Sequence, residues 1–435
     1  MKRSRYSLFI DDFPTIGKTL LFSTRTQAQV AVGTELRAII DGLPGRSDGG
    51  AADTPLAKLL NLGILVDDGT DETALMDKWF GRLHAGGDAL KPTVLTTYAC
   101  NLACVYCVEE GVRDPVFMDS DTARLTASYV LERARAQGLR RIALTFYGGE
   151  PLLNPEALRE VASTLATACP PAGLAFGFGL ITNGTLLTPE LIDELTALGL
   201  AGLKVTLDGD RHSHDARRPF GNGRGSFEAI LERIEAVADR TGVEIGCNVD
   251  DGNAEGILAL LDELVRRGLA GRLRKVTFKP VSPSPADRRG LAPTAELSCG
   301  WADPAAMRRL AGLRAAAIER GLPVEEGIGV HVCDALSSDS SFAIDPRGVL
   351  YRCPGFVGRP DFSAGDIHGA ARDDGLRPGQ WRRCADCPLV PLCGDSCAFG
   401  AWVRFGDPVA LHCNRQALET IVAETIRVNY RSSKP

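Results

Sequence analysis

The sequence predicts an α/β protein: a parallel sheet with helices packed on it, carrying a smaller module at each end. Three observations predict it. Between about residues 92 and 322 strand-like and helix-like segments alternate, the pattern of repeated βα units in a parallel sheet. Every distinctive motif in that stretch falls where a strand ends, which is where such sheets hold their ligands. Beyond about residue 325 cysteines become dense, glycine and proline rise and helical periodicity thins. That profile belongs to a region that needs bound metal to hold its shape. A chain of 435 residues also exceeds one ordinary domain, so two or three are expected.

The elements follow in order. Thr19–Ser23 and Gln29–Val32 read as strands, Glu35 to Ile40 as a helix ended by Asp41-Gly42, and Gly45 to Asp53 as a polar, Gly-rich loop. Leu56, Leu59 and Leu60 form a helical stripe, followed by a strand at Ile64-Leu65-Val66. This order suits a winged-helix-like module, and equally an extension packed on the catalytic domain. A linker at Ala85-Gly86-Gly87-Asp88 ends it. In the central region, Thr93 to Thr97 leads into a cysteine loop, and Asp121 to Gln137 is a helix stopped by Gly138. Ile142, Leu144 and Phe146 alternate along a strand, as do Leu203, Val205 and Leu207. Leu180-Ile181-Thr182, Val243 to Val249 and Lys275 to Val281 are further strands. Thr188-Pro189 caps the helix Glu190 to Leu198, and Ala254 to Arg267 is another helix. Ser282 to Gly300, rich in Pro and Ser, reads as a long surface loop.

Composition narrows the function. The net charge is −6, which favours neither nucleic acid nor an anionic membrane as partner. No apolar run approaches the ~18 residues of a membrane span. The first residues contain no signal-peptide core, only Leu8-Phe9-Ile10 before Asp11-Asp12. A cytoplasmic protein is expected, whose thiols stay reduced, so its 13 cysteines read as metal ligands where they cluster. Cys169 and Cys247 lie in a helix end and a strand and read as small buried apolar residues.

Cys100-x3-Cys104-x2-Cys107, with Tyr106 before the last cysteine, carries the most chemistry. Three thiolates on a short loop can hold three irons of a 4Fe–4S cluster and leave the fourth without a protein ligand. A structural zinc site would want four ligands, commonly as two C-x-x-C-like pairs, and no fourth cysteine stands nearby. Tyr106 would lie beside the cluster, packed on a bound purine or simply in the core.

This loop resembles that of radical S-adenosylmethionine (SAM) enzymes, and the resemblance extends well past it. Gly148-Gly149-Glu150-Pro151 is similar to that family's "GGEP" motif. Two glycines let a backbone approach a ligand closely, and Glu150 adds negative charge near the ligand's amine. Thr182-Asn183-Gly184 resembles the motif facing the ribose. Thr206-Leu207-Asp208-Gly209 resembles "SLDG", with Thr for Ser. His214-Asp215-Ala216-Arg217-Arg218 follows "HDxxR". Arg218 is then a candidate for the carboxylate of SAM, or alternatively half of a surface ion pair. Asn248, at the end of the fifth strand, also fits the family.

The C-terminal pattern is Gly348-x4-Cys353, then Cys384-x2-Cys387-x5-Cys393-x3-Cys397, then Cys413, with Cys333 upstream. It resembles the SPASM extension of radical SAM enzymes that act on peptides. By that resemblance Cys384, Cys387, Cys393 and Cys413 complete one auxiliary cluster. Cys333, Cys353 and Cys397 would hold another with one iron left open. Fuller versions carry a further cysteine before the equivalent of Cys333, where this chain has Val330, His331 and Val332. Cys299 could substitute from the long loop, and two zinc sites would be the plain alternative.

The resemblance implies a partial (β/α)6, TIM-like barrel at 90–322, a possible leader-binding module at 1–84 and a SPASM domain at 325–425. It implies SAM and three 4Fe–4S clusters as cofactors, and an external one-electron reductant of flavodoxin or ferredoxin type. The substrate would be a ribosomally made precursor peptide whose leader binds the N-terminal module by strand addition. Hydrogen abstraction would end in a thioether, a carbon–carbon or carbon–oxygen crosslink, or an oxidised residue. Rival readings are a sulfatase-maturase-like formylglycine former, a small-molecule dehydrogenase or epimerase, and a non-catalytic metal-stabilised binding protein. The sulfatase maturases carry Asp after the G-x4-C cysteine, where Pro354 stands here.

Overall fold

A computed structural model describes residues 1–43, 54–84, 87–109, 115–282, 300–325, 328, 333, 339–369, 371–376, 379–394 and 397–432. The Gly45–Asp53 loop, Ala85 and Gly86 of the linker, Cys299 with nearly all of its loop, and Val330 to Val332 lie outside the described residues.

The N-terminal module begins with β1 (Lys2–Arg3), β2 (Ser7–Asp11), β3 (Lys18–Ser23) and β4 (Gln29–Gly33). Helices α1 (Thr34–Asp41) and α2 (Pro55–Asn61), strand β5 (Leu65–Val66) and helix α3 (Glu72–His84) follow. β2, β3 and β4 form an antiparallel sheet in that order, with Leu8 opposite Phe22 and Leu20 opposite Ala31. Alternation along β3 sends its side chains to two different cores. Leu21 joins Val32, Ile40, Leu59 and Ile64 inside the module. Leu20 and Phe22, with Ile10, pack on Leu389, Leu392, Val422 and Ile426 from the far end of the chain. The module is therefore clamped to the C-terminal region. Strand β2 and helix α3 were not expected, since Ser7–Asp11 is a five-residue strand ended by a charge.

The central region alternates strand and helix. It runs β6 (Ala89–Leu95), α4 (Ser120–Ala136), β7 (Arg141–Tyr147), α5 (Pro155–Ala168), β8 (Ala175–Thr182), α6 (Pro189–Ala197) and β9 (Leu200–Thr206). It continues α7 (Arg211–Arg217), α8 (Phe227–Val237), β10 (Val243–Val249), α9 (Ala254–Arg266), β11 (Leu273–Pro280) and α10 (Pro304–Glu319). The six strands β6 to β11 are parallel and sequential, the order a partial barrel requires. Helix starts follow local chemistry: Asp119 accepts from Thr122 N and Thr188 from Leu191 N. Ile142, Leu144, Phe146, Leu203, Val205, Ile245 and Leu260 belong to one buried core between strands and helices. Each such side chain contributes roughly 1.5–3 kcal/mol by leaving water. The intervening residues face the other, concave side. There Lys204 Nζ sits 2.5 Å from Glu244 Oε1 and 3.1 Å from Thr277 Oγ1.

The sheet does not stop at β6. Strand β12 (Ser341–Ile344) pairs parallel with it, Ser341 opposite Lys91 and Ile344 opposite Val94. Antiparallel β13 (Val349–Tyr351) and β14 (Ser363–Asp366) extend it to nine strands. Helices Ala398–Phe405 and Arg415–Ser432 finish the chain. The last spans 18 residues, so helical periodicity does not fade out beyond 325 as the cysteine-rich text implied. Among the described residues no helix is long and apolar enough to cross a membrane.

Candidate active site

The motifs converge on the rim formed by the carboxyl ends of β6 to β10. Cys100, Cys104 and Cys107 lie on the loop leaving β6, all partly accessible. Two other segments pin this loop by backbone. On one side Gly149 N donates to Thr97 O (3.1 Å) and Glu150 N to Ala99 O (2.8 Å). On the other, Ala103 N donates to Pro219 O (2.8 Å), Val105 N to Arg217 O (3.0 Å) and Gly221 N to Asn101 O (3.0 Å). The glycines of the Gly148–Pro151 motif make this approach possible. A Cβ on Gly149 would stand 2.3 Å from Ala99 O and 2.4 Å from Tyr98 O; one on Gly148, at φ +137°, would stand 2.5 Å from Thr97 O. The space a side chain would need at these two positions is filled by the backbone of the cysteine loop.

Glu150 is fully buried. Its Oε1 accepts from Leu152 N (3.0 Å) and Thr182 Oγ1 (2.8 Å), and its Oε2 from Asn183 N (2.7 Å). Burial raises its pKa, and these three donors oppose that rise. Pro151 opens the short turn Pro151–Leu153, and its carbonyl accepts from Thr96 Oγ1 (3.2 Å). Asn183 reaches back to the loop, with Nδ2 2.7 Å from Asn101 Oδ1 and 3.8 Å from Cys100 Sγ. Burial pushes the Cys100 thiol up to about 11. A neutral thiol there becomes a thiolate when a metal supplies positive charge.

Across the rim Asp208, also fully buried, organises a second network. Oδ1 accepts from Asn248 N (2.8 Å) and Asn248 Nδ2 (3.2 Å), and Oδ2 from the Tyr106 hydroxyl. That hydroxyl accepts from Arg218 Nη1 (2.8 Å) and Asn248 Nδ2 (2.9 Å). Arg218 is only 8% exposed, which removes the surface ion-pair reading. Its Nε, with Nε and Nη2 of Arg217, is buried without a hydrogen-bond partner among the described residues. Arg217 also lies 5.2 Å over the Tyr106 ring. Orphaned guanidinium nitrogens beside the cysteine loop suit an anionic ligand such as a carboxylate. Thr206 ends β9 two residues before Asp208 and is partly exposed on the concave side.

His214 holds the backbone of Asp208, whose N–H donates to Nδ1 (3.2 Å). Its Nε2 lies 3.0 Å from Ser226 Oγ, which donates to Arg218 O (2.6 Å). The proton therefore sits on Nε2. Burial, with Arg218 and Arg217 nearby, pulls its pKa down to about 3. Sequence reasoning missed Asn101, Arg217 and Asn253, whose Nδ2 donates to the carbonyls of Asp208 (2.9 Å) and Asn248 (2.8 Å). Only the abundance of Asn at strand ends could have flagged the first and last. It also missed Lys279, opposite Asn248 in the β10–β11 register. Lys279 keeps an accessible side chain, yet burial in the concave wall and Lys204 lower its pKa.

The later cysteines form two sets. Cys384, Cys387, Cys393 and Cys413 line one cavity together with Trp381 and His412. Cys353 belongs elsewhere: burial, then Cys333 and Cys397, push its thiol up to about 12. Cys333 and Cys353 pack against a buried cluster that contains Tyr98 and Phe356 and is also touched by Tyr147. Among the described residues no three His, Cys, Asp or Glu side chains converge as tightly as a single metal ion demands. A polynuclear cluster spreads its ligands over separate irons, and both sets fit it on chemistry and grouping.

Residues 94–253 match the family model described as the Radical SAM superfamily. Mycofactocin maturase MftC of Mycobacterium tuberculosis (strain CDC 1551 / Oshkosh) is 30% identical over 313 residues, covering 68% of this chain and 72% of that protein. Among solved structures, native anSMEcpe with bound AdoMet aligns over 78% of this chain and 97% of its own, at 15% identity and a TM-score of 0.57. SuiB of Streptococcus suis aligns over 95% of this chain and 99% of its own, at 14% identity and a TM-score of 0.50. These two structures share the fold.

Proposed function

Because this chain belongs to the radical SAM superfamily, we propose that it is a maturase of a ribosomally made precursor peptide. One observation carries the reading. The Cys100–Cys107 loop is clamped on one rim beside buried guanidinium nitrogens without partners, and a second, four-cysteine cavity stands in the adjoining domain. When bound, the first cluster and SAM supply a 5′-deoxyadenosyl radical that removes hydrogen from an unactivated carbon. Cys100, Cys104 and Cys107 would hold that cluster. Arg218 and Arg217 would hold the carboxylate of SAM. Thr182, Asn183, Thr206 and Asn248 line the same rim; Glu150 holds Thr182 and Asn183, and Asp208 holds Asn248, through the hydrogen bonds described above. Tyr106, tied by its hydroxyl to Asp208 and Arg218, is an orienting residue as much as a packing surface. The two later cysteine sets would hold two auxiliary clusters, which accept the electron left on the product.

The relative's printed name, mycofactocin maturase, supports a maturation reaction, and the solved SuiB bound to precursor peptide SuiA is a precedent for a peptide substrate in the same fold. A groove of about 690 Å³ runs along the edge strand β2 of the N-terminal module, walled by Lys2, Arg3, Arg5 and Arg415 and by Glu72 and Glu419. It suits an extended leader added along that strand edge. A cytoplasmic compartment and a small one-electron reductant complete the proposal. Pro354 after Cys353 disfavours the sulfatase-maturase alternative. The test is anaerobic incubation with SAM, reductant and the peptide encoded by the neighbouring short reading frame. The expected outcome is 5′-deoxyadenosine together with a peptide mass change. A peptide that neither binds nor changes in mass or solvent-deuterium content, while SAM is cleaved, would overturn the pairing.

A further inference from the structure

The two later cysteine sets are unequal. Four thiols line one cavity and complete a four-coordinate set. The other has Cys333, Cys353 and Cys397, one short. Of the remaining cysteines, Cys169 and Cys247 are buried in the barrel core and Cys299 lies outside the described residues.

His412 is placed between the sets. It immediately precedes Cys413 and lines the four-cysteine cavity, yet its ring is turned towards the helix that Cys397 opens. Only 7% of the residue is exposed. The ring passes over Gly400, where an added Cβ would meet His412 Nδ1 at 2.7 Å, Cε1 at 2.9 Å and Cys397 Sγ at 3.4 Å. Imidazole and thiol therefore lie on the same side of Gly400, and any side chain at 400 would crowd the ring. The Gly400 N–H donates to Cys397 Sγ (3.3 Å), which holds the sulfur over the first turn of that helix, on the side where the ring lies.

We propose that His412 is the fourth protein ligand of the cluster held by Cys333, Cys353 and Cys397. The assignment rests on the auxiliary-cluster reading above. A neutral imidazole binds iron well and replaces thiolate in some iron–sulfur centres, where losing one negative charge raises the reduction potential. The consequence is an auxiliary cluster that accepts an electron more readily than its four-cysteine neighbour and has all its irons covered by the protein.

The test uses the full chain with Cys100, Cys104 and Cys107 replaced by Ala, reconstituted anaerobically so that only the later sites take up iron. Iron and sulfide content, pulsed EPR of the reduced protein and redox titration are compared for His412 unchanged, His412→Ala and His412→Cys, with and without ¹⁵N-histidine. A strong nitrogen coupling that is ¹⁵N-sensitive and lost in His412→Ala is expected. His412→Cys should keep its iron and titrate at a lower potential. Full iron without such a coupling, and spectra unmoved by His412→Ala, would overturn the assignment while leaving the clusters in place. A coupling only of hydrogen-bond size would also overturn it. Should the protein with His412 unchanged take up no iron at the later cysteines, the auxiliary-cluster reading falls and the ligand falls with it.

Discussion

Gly149→Ala tests whether the glycine pair serves the cysteine loop or the ligand. The new methyl would lie 2.3 Å from Ala99 O, 2.4 Å from Tyr98 O and 2.6 Å from Ala99 C, all backbone atoms with no rotamer to yield. Restoring ordinary contact means moving the loop by roughly 1 Å, at about 1–3 kcal/mol for overpacking. The same shift strains Gly149 N–H to Thr97 O and Glu150 N–H to Ala99 O, at about 1 kcal/mol each. A total of roughly 3–5 kcal/mol falls on the segment that carries Cys100 and Cys104. Iron and sulfide bound per chain after anaerobic reconstitution, with 5′-deoxyadenosine formed from SAM, should both fall by an order of magnitude or more. Gly81→Ala is the control: it lies exposed in α3 with nothing within 4 Å of its added Cβ, and should be neutral or stabilising by up to about 1 kcal/mol. Full iron loading of Gly149→Ala, with a melting temperature matching the parent, would refute the reasoning.

Asp208→Ala removes the acceptor of Asn248 and Tyr106 and leaves Arg218 buried with its nearest carboxylate gone. A stability loss of about 3–5 kcal/mol is expected in urea titration, with weakened SAM binding by calorimetry; an unchanged urea midpoint would count against this role. His214 sets a pH dependence. Its folded pKa of about 3 lies below the ordinary 6.5. The unfolded chain therefore takes up the proton first, and stability is lost as pH falls below about 6.5, by up to ~1.4 kcal/mol per unit. His214→Gln should flatten urea midpoints between pH 7 and 5; an undiminished slope would remove His214 as its source. Cys393→Ala should cost about four irons per chain while leaving SAM cleavage at the first cluster; unchanged iron content would take Cys393 out of the ligand set.

The barrel was readable because its strands repeat one rule. Ile142, Leu144 and Phe146 must face the helices, so period-two alternation shows in the text. Thr188 before Pro189 marked a helix start by chemistry that acts within four residues, and it caps as expected. The N-terminal sheet was only half readable, because the partners that bury Ile10, Leu20 and Phe22 come from residues 389 to 426. Nothing local in Ser7–Asp11 announces them. At the rim, residue types with strong preferences stood out, while Asn101 and Asn253 did not. Their amides tie loops together, with Asn253 bonding to two carbonyls, and such bonds leave no spacing behind. The glycine pair was found, but its neighbour was not, since a close approach in the sequence does not say what approaches.

The pairing of β12 with β6 has a consequence for how this chain can be cut. Ser341 and Lys91 are neighbours in the sheet although 250 residues separate them, so β6 acquires its second neighbour only after most of the chain is made. A fragment ending near residue 322, at the border suggested by cysteine content, would leave β6 as an open edge beside the cysteine loop. Exposed strand edges recruit other chains. Shortened versions of this protein should therefore be lost to aggregation before their chemistry can be examined, and the cysteine-rich tail serves the barrel as a cover for its open edge.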